Sequence, residues 1–307
     1  MRPLASPDIP ASDGQDTMRL ATSGRPPATD DVAAALTAAV ALLGQRPAVT
    51  GHVREGRPRV DGDTSAGGRR EQGFASLAGW VAKGANLLHA ELGLGAGDRL
   101  ALAGPPGWPL AAVTLSAWWL GVTVVPRADR TGPGGSSADV LVVHQAVLDG
   151  QDGRPGVVDG SRTVLTFGDA IDGTAATAPA PAGAEEWTDA VTPHGDRPPA
   201  PAHDGDLVAL VTTDGTEHTQ RMLLARAAEG AEESAGVLGM LRHSDEDLVS
   251  GPDAARRLAA LALRPLVSGA ATVIIEVDDP ARNALARAER VARWLDGAGR
   301  PTDHPPT

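Results

Sequence analysis

Residues 77–126, LAGWVAKGANLLHAELGLGAGDRLALAGPPGWPLAAVTLSAWWLGVTVVP, constrain the fold of this chain more than any other stretch. Phe74, Leu77, Ala78, Val81, Ala85, Leu88 and Leu92 recur at the three- and four-residue spacing of one helix face, with Glu71, Lys83, Asn86 and Glu91 on the wet side. Gly93, Gly95 and Gly97 stop that helix, because glycine takes a positive φ at low cost. Leu100-Ala101-Leu102-Ala103 suits a strand buried on both faces, and Gly104-Pro105-Pro106-Gly107 breaks it. Residues 108–120 are apolar nearly all round, as in a helix enclosed between layers. Gly121 ends that helix, and Val122-Thr123-Val124-Val125 is β-branched enough for the next strand. A right-handed crossover between parallel strands is the expected connection. The fold class is therefore α/β, a layered βαβ architecture with a mostly parallel sheet flanked by helices.

Charge and composition exclude several functions. A formal net charge of -12 and the lack of any basic patch argue against a nucleic-acid surface, which needs clustered cations. Without cysteine there is no disulfide, thiolate nucleophile or Cys-ligated zinc, as expected of a cytoplasmic protein. The first 17 residues lack the apolar core of a signal peptide, and the apolar run 110–125 is too short and too interrupted to span a bilayer. The expectation is a soluble chain without a membrane partner. Lys83 is the only lysine and there is no tyrosine. Lys83 sits on the outer helix face, where a solvated charge is expected.

The organisation is uneven. Residues 1–30 are polar and Pro-rich and read as disordered. A first α/β portion occupies 31–172: Asp31 caps a helix to Leu43 closed by Gly44, residues 48–53 form a strand, and 54–73 a long hairpin or loop. Strands follow at 139–143 and 163–167, then a loose helix at 168–172. Residues 173–205, rich in Ala, Pro, Asp and Gly, read as a surface linker. A second α/β portion covers 206–296, with a strand at 207–212 and a long helix carrying Leu223, Leu224, Ala227, Ala228, Ala231, Val237, Leu238 and Leu241. A strand at 247–250 leads to a helix at 254–267 with Arg256, Arg257 and Arg264 on its wet face. A strand at 272–275 and an amphipathic helix at 281–295 close the portion, and 297–307 is a tail.

Leu92, Gly93, Gly97, Asp98, Arg99 and Leu100, followed by Gly121, Val124, Val125 and Pro126, resemble the entrance to the AMP-binding domain of adenylate-forming enzymes, the acyl-CoA synthetase and luciferase superfamily. The wording WVAKGANLL and AWWLG, with His194-Gly195-Asp196, is similar to short stand-alone relatives from high-GC bacteria. The resemblance covers about residues 31 to 295 and implies the N-terminal part of that family's fold. Asp247 to Ser250, the Pro265 to Ala270 segment and the strand after it continue it.

In that family a strand is followed by T-S-G-T-T-G-x-P-K-G, a loop that wraps the triphosphate of ATP with backbone N–H groups and hydroxyls. Here Asp206-Leu207-Val208-Ala209-Leu210 is followed by Thr213 to Met222. Thr213, Gly215 and Thr216 match the motif, and Arg221 stands in for its lysine. Asp214 replaces serine, Glu217 threonine, His218 glycine, Gln220 proline and Met222 the last glycine. A like-charge contact at ~4 Å opposes binding by about 4 kcal/mol at an effective dielectric near 20. The resemblance thus implies a degenerate phosphate site of Thr213, Gly215, Thr216 and Arg221, with ATP or AMP and Mg2+ held weakly. An ordinary strand-to-helix turn, with Asp214 or Thr216 as N-cap, describes the same residues.

The family's later motifs and its catalytic lysine have no counterpart, so no catalytic residue is assigned and adenylation by this chain alone is not expected. Two readings follow: a binding or interaction module with a protein partner, or a ligase fragment that binds nucleotide or is completed by another polypeptide. No zinc pair or G-x-S-x-G elbow occurs, and no metal site is assigned. His194, His203, Asp196 and Asp204 are the nearest approach to a metal cluster. The Gly93-Leu94-Gly95-Ala96-Gly97 run precedes its strand and so lacks dinucleotide geometry. Asp245-Glu246-Asp247 reads as a solvated turn, and the Trp118-Trp119 pair as core.

Overall fold

Asp31 takes the N-cap position of helix α1 (Val32–Leu43), its carboxylate accepting from the Ala34 amide at 2.7 Å. The computed structural model describes residues 25–58, 64–127, 138, 140–145, 147, 163–168, 180, 182–229, 236–243, 247–251, 253–277, 279–295 and 301–303. Gly44, at φ 51°, ends α1, and β1 (Pro47–Pro58) turns back as β2 (Thr64–Gly73) in an antiparallel hairpin. Helix α2 (Phe74–Asn86) widens into a π segment at Leu87–Glu91. Then come β3 (Arg99–Ala103), α3 (Trp108–Trp119) and β4 (Thr123–Pro126), with β3 and β4 parallel as expected.

Strands β5 (Val140–His144), β6 (Thr163–Phe167), β7 (Glu185–Glu186), β8 (Val208–Val211) and β9 (Glu217–Thr219) complete one sheet, in the order β7-β6-β5-β3-β4-β8-β9. Every neighbouring pair in it is parallel except β8 with β9. The other sheet uses β10 (Val237–Arg242), β11 (Thr272–Glu276), β12 (Val291–Leu295) and β13 (Pro301–Thr302), in the order β13-β12-β10-β11-β1-β2. Its central pairs are parallel and its two edge pairs antiparallel. The fold is therefore α/β with mostly parallel sheets, but two of them rather than one.

Helices α1, α2 and α3, with α5 (Gln220–Ala228), α6 (Ala254–Leu258) and α7 (Arg264–Ser268), contribute to a single apolar cluster with side chains from both sheets. A π segment, Ala259–Leu263, joins α6 to α7. Residues 108–118 of α3 are all buried, which explains why that helix has no polar face to show in its sequence. Trp118 is fully buried and donates its indole N–H to the Ala209 carbonyl at 2.7 Å, so it is core; Trp119 donates to Pro199 at 2.9 Å.

Several expectations are corrected. Residues 237–241 are not the end of a long helix: α5 stops at Ala228 and Val237–Arg242 is the strand β10. Gly239 explains the choice, since a Cβ there would lie 2.7 Å from both Trp294 and Val291 of the neighbouring β12. Residues 247–250 form a turn and not the strand, whose place β10 has taken. The closing helix is short, α8 (Arg282–Ala288); Arg290 turns the chain at φ 56° and β12 then pairs parallel with β10. Pro301–Thr302, within the expected tail, pairs with β12. Arg264 is not on a wet face: it is 4% exposed.

Part of the segment read as a linker is built into the core. Helix α4 (Trp187–Val191) buries Trp187 at ring-centroid distances of 5.8 Å from Trp80 and 6.4 Å from Trp108. The expected helix at 168–172 lies, beyond Gly168, outside the described residues, as do Asp245 and Glu246.

Candidate functional site

Strand β8 ends at Val211 and the chain reverses through residues 212–216 into β9, so the sequence-identified loop is a tight hairpin. Gly215, at φ 82°, permits the reversal, and its amide donates to the Thr212 carbonyl at 2.8 Å. Asp214 organises the rest. Its carboxylate accepts from the Thr212 hydroxyl at 2.5 Å and from the Thr216 amide at 3.1 Å. The Thr212 and Thr216 hydrogen bonds hold the Asp214 carboxyl below its usual range, though the group faces solvent. The Thr212 amide donates to Thr216 at 3.0 Å, closing the ring.

Neither Asp214 nor Thr216 caps the next helix. Thr219 does, its hydroxyl accepting from the Met222 amide. Arg221, on the first turn of α5, turns away from the hairpin: its Nε meets Asp206 at 3.1 Å and its Nη1 meets Asp30 at 3.0 Å. The structure therefore places Thr213, Gly215 and Thr216 together in one turn and gives Arg221 two acidic partners elsewhere. Gln220, where the family motif has proline, is fully buried. It accepts from the Val32 amide and donates to the Trp118 carbonyl, each at 2.8 Å, tying α5 to α1 and α3. His218 is buried on β9, and desolvation followed by the Arg226 charge lowers its pKa.

A second feature went unnoticed in the sequence. Beside the carboxyl ends of β3, β5, β6 and β10 lies a crevice of about 40 Å³, lined by His52, Arg70, Gly107, His144, Phe167 and Arg242 among others. Carboxyl ends of parallel strands are where open α/β sheets bind ligands. The only sequence signal for it is that His144 and Arg242 terminate apolar strands.

Asp247, read as part of a solvated turn, is half-buried at this face. It accepts from the Gly104 and Val249 amides and the Ser250 hydroxyl, yet burial pushes its carboxyl above the usual range. Lys83 is not a free charge either. Its ammonium donates to the His194 carbonyl at 2.8 Å and meets Asp196 at 3.2 Å, pinning the His194-Gly195-Asp196 turn on α2. His194 faces Glu91 and His203 faces Asp31, so these two histidines do not converge. Among the described residues no group of three or more His, Cys, Asp or Glu is gathered as for a metal ion, and no helix is long and apolar enough to cross a membrane.

No protein-family model matches the chain. The TIGR03089 family protein of Mycobacterium tuberculosis is 29% identical over 237 residues, covering 76% of this chain and 88% of that protein. An acyl-CoA synthetase of Brucella canis superposes with a TM-score of 0.61 at 20% identity, over 92% of this chain and 50% of its own. An anthranilate CoA ligase solved with anthranoyl-AMP gives 0.60 at 15% identity, over 87% and 49%. The N-terminal domain of FACL13 from Mycobacterium tuberculosis gives 0.58 at 17% identity, over 86% and 62%. The chain spans about half the length of the first two solved structures. Its fold is that of the N-terminal part of the acyl-CoA synthetases and related adenylate-forming ligases.

Proposed function

We propose that this ligase-like protein does not adenylate a carboxylate by itself and serves as a binding or interaction module built on the adenylate-forming fold. The observation that supports this most is the position of Asp214. A triphosphate needs the amide and hydroxyl donors of the hairpin, and the Asp214 carboxylate already accepts from Thr212 and Thr216. An incoming phosphate would have to displace a fixed anion and then sit beside it, with Glu217 on the next strand. The residues present thus fit ATP, AMP or their Mg2+ complexes poorly, and no step is assigned to them.

Calorimetric titration with ATP and AMP, and pyrophosphate exchange with a panel of carboxylic acids, test the proposal. The expected result is no saturable nucleotide binding that depends on Thr216 or Arg221, and no exchange. Saturable ATP binding that Thr216→Ala and Arg221→Ala abolish would overturn it.

One observation favours the second reading, a nucleotide-binding ligase fragment completed by another polypeptide. The Arg221 pairs are solvent-exposed, and water screens such ion pairs until they hold the side chain only weakly. A nucleotide could therefore recruit Arg221 at small expense. Under that reading, exchange activity appears when the partner polypeptide is added.

A further inference from the structure

Acidic side chains outnumber basic ones in this chain, 39 to 27. Arginines gathered together against that balance call for an explanation. At the opposite end of α5 from the hairpin, a cavity of about 50 Å³ is lined by Arg226, Arg256 and Arg264, with Glu229, Leu238 and Leu295. Three elements supply the guanidiniums: α5, α6 and the first residue of α7.

Arg264 is 4% exposed, and its Nη1 donates to the Glu229 carbonyl at 3.3 Å. Burial, and then the like charges of Arg293 and Arg25, disfavour its protonated form. Those two arginines have engagements of their own: Arg25 donates to Val267 and Arg293 meets Asp303. The Arg256 Nε is buried and has no hydrogen-bond acceptor among the described residues. Glu229 is the one acidic residue in the lining among the described residues.

A guanidinium presents five N–H donors in a planar fork that matches the oxygens of phosphate. The cavity exceeds several-fold the roughly 10–15 Å³ that one water needs, so a tetrahedral oxyanion fits. An anion there would supply the buried Arg264 guanidinium with a countercharge in a partly desolvated place. We infer that this cavity is a binding site for a phosphate-class oxyanion, clasped by Arg226, Arg256 and Arg264 and separate from the Thr213–Arg221 loop. Free phosphate and the phosphate of an ester present the same recognising chemistry.

Titration of the full chain with inorganic phosphate, at ionic strength held constant with chloride, tests the site. Saturable binding is expected, weakened about tenfold or more by Arg226→Gln and by Arg256→Gln. Both side chains are only partly buried, so these variants should keep the wild-type circular dichroism. AMP provides the ester arm: binding that Arg256→Gln removes and Thr216→Ala spares assigns an ester phosphate to the arginines. No saturable binding of phosphate or AMP by the wild-type chain, or binding that both arginine variants leave intact, overturns the inference. None of these outcomes depends on whether ATP occupies the hairpin, which Thr216→Ala reports.

Discussion

The Asp247 carboxylate accepts the Gly104 amide at 3.2 Å, while the Leu248 amide donates to the Gly104 carbonyl at 2.8 Å. Gly104 follows β3 in one sheet and Asp247 follows β10 in the other, so this exchange ties the two sheets at their carboxyl ends.

Asp247→Ala should lower stability by about 2–3 kcal/mol in urea denaturation, because it strips acceptors from the amides of buried Gly104 and Val249 and from the half-buried Ser250 hydroxyl. The raised carboxyl pKa also sets a sign. The folded chain keeps this proton to higher pH than the unfolded chain, whose value is near 3.8. The contribution is thus fully present below 3.8 and is lost as pH rises through the folded value. Asp247→Asn, which can still accept from both amides, should erase that slope. An unchanged slope in the Asn variant would count against the assignment.

Gly104→Ala should destabilise by about 1–3 kcal/mol. Its added methyl would lie 2.9 Å from the His144 Cβ on the adjacent β5 and from the Phe167 ring on β6 beyond it. Thermal unfolding measures the loss, and Phe167→Leu in the same chain should recover part of it.

Lys83→Ala with Asn86→Ala should loosen the turn at 194–197 without unfolding the protein. Lys83 holds the His194 carbonyl, and Asn86 donates to the Gly195 and Arg197 carbonyls, each at 2.9 Å. Hydrogen exchange in that turn is expected to rise by about a hundredfold, at about 1 kcal/mol for each of the three lost bonds, while β3 and β4 stay protected.

Glu289 contributes in the opposite pH direction. Hydrogen bonds from Arg69, and more weakly from His52, hold its carboxyl below the ordinary value of 4.5. Its stabilisation is present above 4.5 and is lost as pH falls through the folded value. Arg69 is 44% exposed, so the effect of Glu289→Gln at neutral pH should stay within about 1 kcal/mol and vanish in acid. Urea midpoints at neutral and acid pH provide the check.

The βαβ unit was legible because each element carries its own complete signal. The α2 stripe, the four-residue run in β3 and the β-branched β4 do not depend on distant partners for their identity. Residues 237–241 and 291–295 were misread for the converse reason. Their apolar spacing fits helix and strand alike, and what decides is Gly239 lying against Trp294 and Val291, more than 50 residues away in sequence. Trp187 looked isolated in a Pro-rich stretch because its partners, Trp80 and Trp108, sit on α2 and α3. At the hairpin, Asp214-Gly215 announced a turn, and the replacement of a serine by a carboxylate was plain. That this carboxylate would take the donors of Thr212 and Thr216, and that Arg221 would bind Asp30 and Asp206, required the folded geometry. The Asp247 tie was hidden because the Gly104 amide it holds lies 143 positions away.

Among the described residues the two sheets have four edge strands, and three of them are very short: β7 and β13 have two residues each and β9 has three. The fourth, β2, has ten residues and carries Arg69, Arg70 and Glu71 near its end. An open edge can template the strand of another molecule, and growth by that route needs a long, uncharged row of free backbone groups. This fold offers almost none, so concentrated solutions of the chain should resist fibrillar, edge-to-edge polymerisation even though it contains two incomplete sheets.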